Sequence, residues 1–170
     1  MHLRVLLGTL LLTWMSGTHG ASADAAPDWS SDQFLIGKWS CDQSRPGHQT
    51  SHEDSVYSIG LGGRWLQLTY TLTSSEPGLS AKTTTAYETF DRSLSKWVYI
   101  SMGSDGDYGT SYSDGWNGNR KTYGPAAGSP QAWRLIATKL SNNEFTEDVE
   151  TATGDGKWSR TVSLRCRRAP

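Results

Sequence analysis

From Phe34 onward the chain is written in twos. Leu66, Leu68, Tyr70 and Leu72 alternate with Trp65, Gln67, Thr69 and Thr71. A period of two is the mark of a half-buried β-strand. Val98, Ile100 and Met102 alternate with Trp97, Tyr99 and Ser101, and Phe145, Glu147 and Val149 alternate with acids and threonine. In the last segment Trp158, Arg160, Val162, Leu164 and Cys166 are expected to share one face. Between these runs lie Gly60-Leu61-Gly62-Gly63, Asp105-Gly106-Asp107, Asn117-Gly118-Asn119, Ser141-Asn142-Asn143 and Gly154-Asp155-Gly156. Such residues tolerate positive φ and close tight turns. The pattern predicts ten strands, at 34–42, 53–60, 64–73, 81–90, 96–103, 108–116, 119–125, 131–140, 143–152 and 157–167. No amphipathic helix of three turns is visible.

Short turns between consecutive strands imply nearest-neighbour antiparallel pairing. An open ten-strand sheet would expose two edges, and closure removes both. The expected fold is therefore all-β, an up-and-down antiparallel barrel of about ten strands, over 34–170. A transmembrane barrel needs an outward apolar band on every strand. Ala81 to Thr85 and Gly109 to Ser113 offer none, so no membrane insertion is expected.

Two cysteines change the picture, because Cys41 and Cys166 fall in the first and last strands. Residues 1–23 have the layout of a secretory signal peptide. A basic start at Arg4 precedes an apolar run from Val5 to Met15, and Ala21-Ser22-Ala23 is a plausible cleavage motif. Residues 24–33 read as a flexible lead-in. Export implies a secreted or periplasmic protein, and in an oxidising compartment the cysteine pair reads as a disulfide. Two free buried thiols are the alternative. A bridge would join the terminal strands and contribute about 4–5 kcal/mol in the chain-entropy model. With an even strand number, Cys41 opposite Cys166 places Trp39 opposite Arg168, an indole under a guanidinium. A bulge would move that partner to Arg165 or Arg160.

Removal of 1–23 takes away Arg4 and no acid, which leaves fifteen basic side chains against seventeen acidic ones. That balance argues against a nucleic-acid surface. Tryptophan and tyrosine outnumber phenylalanine. A core built from them carries polar groups that need partners.

Gly37-Lys38-Trp39 resembles the Gly-x-Trp signature of lipocalins and the wider calycin superfamily. The resemblance implies that Trp39 plugs one barrel end and stacks on an arginine from a late strand. Gly62-Gly63-Arg64-Trp65-Leu66, Tyr87-Glu88-Thr89-Phe90-Asp91, Lys96-Trp97-Val98-Tyr99, Ser113-Asp114-Gly115-Trp116-Asn117-Gly118 and Asp155-Gly156-Lys157-Trp158 resemble a large, mostly bacterial family of lipocalin-like domains of unknown function. Ten-strand relatives include barrels similar to nitrobindin, which bind haem through a histidine on a late strand. No histidine follows His52, so that ligand has no counterpart and no cofactor is expected.

Several motifs suggest chemistry and have plainer readings. His48 and His52, followed by Glu53 and Asp54, have a helical metal-site spacing, but Pro46-Gly47 favours a solvated loop. Asp105, Asp107 and Asp114 lack the closing glutamate of a calcium loop. Ser93-Leu94-Ser95-Lys96 matches Ser-x-x-Lys, which works at a helix start and here bridges two strands. Gly60-Leu61-Gly62-Gly63 has no following helix to cradle phosphate. No metal site is expected, and no catalytic residue can be named.

The aromatic set is the best lead. Trp65, Tyr87, Trp97, Tyr99, Tyr112, Trp116 and Trp133 sit on several strands. If they line the lumen, they form an amphipathic cavity suited to a small molecule. Arg134 and Arg160 are the charges expected to point inward and meet an anionic head group, unless Glu88, Glu147 or Asp148 take them up. The expected function is non-covalent binding of a small, partly apolar molecule. The alternatives are an isomerase- or hydrolase-type enzyme using a carboxylate such as Glu88 or Asp114, and a filled-barrel interaction module.

Overall fold

The computed structural model describes residues 25–170 except Ser75, Pro77, Leu79 and Gln131. The expected signal peptide lies outside the described residues. A single 3-10 turn, Gln33–Leu35, leads into ten strands. They are β1 (Gly37–Ser44), β2 (Ser51–Gly60), β3 (Trp65–Thr73), β4 (Lys82–Asp91), β5 (Lys96–Gly103), β6 (Tyr108–Asn117), β7 (Arg120–Gly124), β8 (Trp133–Ser141), β9 (Glu144–Ala152) and β10 (Trp158–Arg168). Each pairs antiparallel with its neighbours in sequence, and β1 closes on β10. The expected all-β barrel and its strand count are what is found, with strand ends moved by a few residues.

Closure has the register that the cysteines imply. Cys41 lies opposite Cys166 and is bonded to it, and Trp39 lies opposite Arg168. The Arg168 guanidinium sits 4.5 Å from the centre of the Trp39 ring. It also donates to the carbonyls of Ile36 and Phe34. Gly37 makes room for this. Its φ is 121°, and a Cβ there would stand 2.9 Å from Arg168 Nη1.

The two barrel ends differ. One is closed by the segment before β1, which was expected to be a flexible lead-in. Its Trp29 and Asp32 are instead buried. Trp29 Nε1 donates to the Gly63 carbonyl at 2.8 Å, and its ring meets Trp97 at 5.0 Å. Trp39 Nε1 donates to the Leu35 carbonyl, and the Trp39 ring packs edge-on against Phe145. Phe34, Leu35 and Leu164 complete this core. The other end is ringed by the β1–β2, β3–β4, β5–β6, β7–β8 and β9–β10 connections, and it leads into open space.

Bulges in β10 and β6 reset the faces. In β10 a register shift between Arg160 and Val162 turns Trp158 and Arg160 outward while Val162, Leu164 and Cys166 face in. The final strand therefore does not present one continuous face, because a bulge breaks period two. In β6 a shift between Ser113 and Trp116, built on Gly115 at φ 91°, swings Trp116 inward.

Candidate functional site

Inside the barrel is a cavity of about 570 Å3. It exists because of side-chain size. The inward positions of β5 and β6 include Ser101, Gly109 and Ser111, and β8 contributes Ala137. Opposite them stand Tyr57, Tyr70, Leu66 and Leu68. Small residues facing large ones across a barrel leave room that no side chain fills. Leu35, Trp116 and Phe145 form the floor, and Pro125, Ala126 and Ser129 of the β7–β8 connection form part of the rim.

The walls are mostly apolar and aromatic, and among the described residues their charged members are Glu88 and Glu147. No lysine, arginine or histidine lines the cavity among the described residues. Glu147, on β9, has no hydrogen-bond or ion-pair partner among the described residues. Burial, with the Glu88 carboxylate nearby, pushes its pKa up to about 7. Glu53 faces the same lumen from β2 between Cys41 and Leu72. It is 7% exposed and likewise unpartnered. Burial first, then Glu147 and Asp54, raise it to about 8. The lumen tyrosines Tyr57, Tyr99 and Tyr123 are held well above the usual phenol range, chiefly by burial.

Glu88 is different, because it belongs to a network under the cavity. Lys121 is 1% exposed and bridges Glu88 at 2.7 Å and Asp32 at 3.1 Å. Tyr123 donates to Glu88 at 3.0 Å, and Trp116 Nε1 donates to Asp32 at 2.7 Å. The Lys121 ammonium also lies 4.5 Å from the centre of the Trp97 ring. Burial raises the Glu88 pKa, and Lys121 opposes that rise. The second oxygen of Asp32 is buried without a partner. A buried ammonium needs such company, since desolvation alone would neutralise it.

No family model matches the chain, and no curated protein matches it. Among solved structures, Rv2717c from M. tuberculosis aligns at a TM-score of 0.58 and 13% identity, over 86% of this chain and 100% of that chain. EF1p2_mFAP2b bound to DFHBI aligns at 0.46 and 15% identity, over 82% of this chain and 97% of that chain. That second likeness is too loose to carry weight. The fold is a closed, ten-strand antiparallel β-barrel. At these identities the likeness extends to the fold alone.

The barrel divides the sequence-predicted residues by face. Tyr99 and Trp116 line the cavity, as does Trp133 at the mouth end of β8. Trp97 faces inward but lies below the cavity, against Trp29 and Lys121. Trp65 and Tyr87 form an edge-to-face pair on the outer surface. Tyr112 also faces out, beside the inward Ser111 and Ser113. Arg134 and Arg160 do not point inward. Arg134 pairs with Glu150 at 2.6 Å and covers Trp158, while Arg160 lies 3.5 Å from Asp148. The physical reason is phase. Both sit opposite Glu150, one residue out of step with the inward Val149.

The minor motifs find plain partners. His48 meets Glu76, and His52 meets Asp54 and Asp42, so the two imidazoles do not converge. Asp105 and Asp107 hold Lys82 at the rim. Lys96 is bound by Asp114 and Ser93 by Asp91, which separates the Ser-x-x-Lys pair. Lys121, Asp32, Glu53, Tyr57, Tyr70 and Tyr123 were not foreseen. A charge sitting in the inward phase of a strand, as in Phe145-Glu147-Val149 or Lys121-Thr122-Tyr123, was the available signal.

Proposed function

We propose that the chain is an exported barrel protein that binds a small, partly apolar molecule in its lumen. The observation that carries this reading is the cavity of about 570 Å3, walled by aromatic rings and entered from one end. Small-molecule sites have this size and makeup: mostly apolar, with few polar groups. A barrel serving only as a packed module would fill that space with larger residues than Gly109, Ser111 and Ala137. Tyr99 and Trp116 are the ligand contacts retained from the sequence reading, and Tyr57, Tyr70 and Glu147 join them.

Export, with residues 1–23 as its signal, fits the Cys41–Cys166 bridge and the absence of a free cysteine among the described residues. The outer face is laced with ion pairs, among them Arg134–Glu150 and Arg165–Glu144. Such a face suits water around the barrel.

A second reading is proton transfer on the bound molecule. It is favoured by Glu147, an unpartnered acid on the cavity wall with a pKa of about 7. General acid–base work needs a pKa near the working pH. Native mass spectrometry of the secreted chain, followed by solvent extraction, tests the first reading. A carried small molecule, or uptake of an added apolar fluorophore, is expected. No uptake, even after mild extraction of the barrel, would overturn it.

A further inference from the structure

The sign of charge in the lumen is one-sided. Glu53, Glu88 and Glu147 project inward, Asp32 lies beneath them, and the ammonium that pairs with acids of this group among the described residues is that of Lys121. Lys121 is spent on Asp32 and Glu88 and does not reach the cavity surface. At the rim, Lys82 is taken up by Asp105 and Asp107. At the closed end, Arg168 and Lys139 lie over Trp39 and Phe34. Two carboxyl groups are thus left over. Glu53, more than nine-tenths buried, and Glu147, on the cavity wall, have no partner of either kind among the described residues. A carboxyl group that lines an apolar cavity without a protein partner is open to a ligand that completes it.

Around them the cavity offers π faces, from Tyr57, Tyr70, Tyr99, Trp116 and Phe145. Aromatic rings attract cations through the negative charge over their faces. A carboxylate set in an aromatic wall satisfies both halves of an organic ammonium. The charge meets the acid, and the body meets the rings. An anionic ligand would meet unpaired carboxylates and no free base.

Resting on the reading of the lumen as a small-molecule site, we propose that its ligands are compact organic amines, bound as ammonium ions by Glu147, with Glu53 behind it, within the aromatic wall. The proposal reverses the anionic head group expected while Arg134 and Arg160 were placed inside. It also entails a proton exchange. Where Glu147 is neutral before binding, each ammonium bound displaces one proton to solvent. The groups facing this site are Glu53 and Tyr57 on β2, Tyr70 on β3, Glu88 on β4, Tyr99 on β5, Lys121 and Tyr123 on β7, and Asp32 below. Of these Glu53 shares the titration range of Glu147.

The test uses three probes of one shape, 1-naphthylmethylamine, 1-naphthalenemethanol and 1-naphthoic acid. Each is titrated into the full, oxidised chain by calorimetry. The amine is expected to bind about tenfold or more tighter than the alcohol, and the acid weakest, as a desolvated charge contact of this kind allows. Glu147→Gln should bring amine and alcohol to within about threefold, leaving the alcohol unchanged, and Glu53→Gln should give a smaller change in the same direction. Amine affinity should rise between about pH 6 and about pH 8.5 as the carboxyl groups ionise. If all three probes bind alike, or the acid binds best, the charge selection is overturned while the lumen reading stands. Failure of every probe to bind overturns both. An amine preference that survives both substitutions assigns the selectivity elsewhere and overturns the proposal.

Discussion

The closed end of the barrel and its open lumen treat charge in opposite ways. At the closed end the buried charges are met, save for one oxygen of Asp32. Lys121 is held between Glu88 and Asp32, and Arg168 covers Trp39 while capping the carbonyls of Phe34 and Ile36. In the lumen above, Glu53 and Glu147 are set into a largely apolar wall with no ion-pair or hydrogen-bond partner among the described residues, and desolvation raises the pKa of both. The same residue type thus stabilises the fold in one place and strains it in the other. Buried groups left unpaired cost stability, and such cost concentrates where a protein binds or reacts. The closed end holds the fold, and the lumen is kept for something that the fold itself does not supply.

Breaking the closure should have the largest effect. The Cys41–Cys166 bridge closes a loop of 125 residues, so Cys41→Ala with Cys166→Ala should cost about 4–5 kcal/mol in denaturant unfolding. The same pair of changes should leave the lumen tyrosines and acids in place, which near-ultraviolet circular dichroism would report. Next comes Lys121→Met, which strands Glu88 and Asp32 without a counter-ion. A loss of about 3–5 kcal/mol is expected at neutral pH, shrinking in acid as the stranded carboxylates are neutralised. A variant as stable as the parent would mean that the floor network is not what holds this end.

The lumen should respond with the opposite sign. Glu147 and Glu53 have folded-state pKa values above the ordinary 4.5. Their favourable share is fully present below that value. It is lost as pH rises, because the unfolded chain releases protons that the folded one still holds. Glu147→Gln should therefore stabilise the protein by on the order of 2–3 kcal/mol near pH 8, and by almost nothing near pH 4. Urea midpoints at the two pH values measure the difference. A variant destabilised at both would show that Glu147 has a partner in the folded chain. The smallest effect belongs to the outer surface. Arg160→Ala removes a side chain that is 60% exposed, and thermal unfolding should shift by less than about 0.5 kcal/mol.

Strand positions were legible because turn residues punctuate the chain and period two fills the gaps between them. The Trp39–Arg168 contact was legible because one disulfide and an even strand count place the two opposite each other wherever no bulge intervenes in β1 or the end of β10. Face was harder to read. Val98, Ile100 and Met102 look like an inward set, yet the inward phase of β5 is Trp97, Tyr99 and Ser101, with Met102 exposed. In a barrel that keeps a cavity, polarity inside and outside is too similar to fix the phase. The bulges at Gly115 and after Arg160 each reverse the phase mid-strand, and neither shows in periodicity. Asp32 and Trp29 were hidden for another reason. A short polar segment can be ordered by one buried ion pair and one indole, contacts made 89 and 34 residues away.

The most direct test follows the Glu147 side-chain carboxyl carbon by NMR across a pH titration, with and without saturating 1-naphthylmethylamine. The free protein should titrate at about 7, and the bound amine should pull that value down toward the ordinary carboxylate range. A Glu147 that titrates in the ordinary range without ligand, or that ignores the amine, would contradict a lumen built around an unpaired acid.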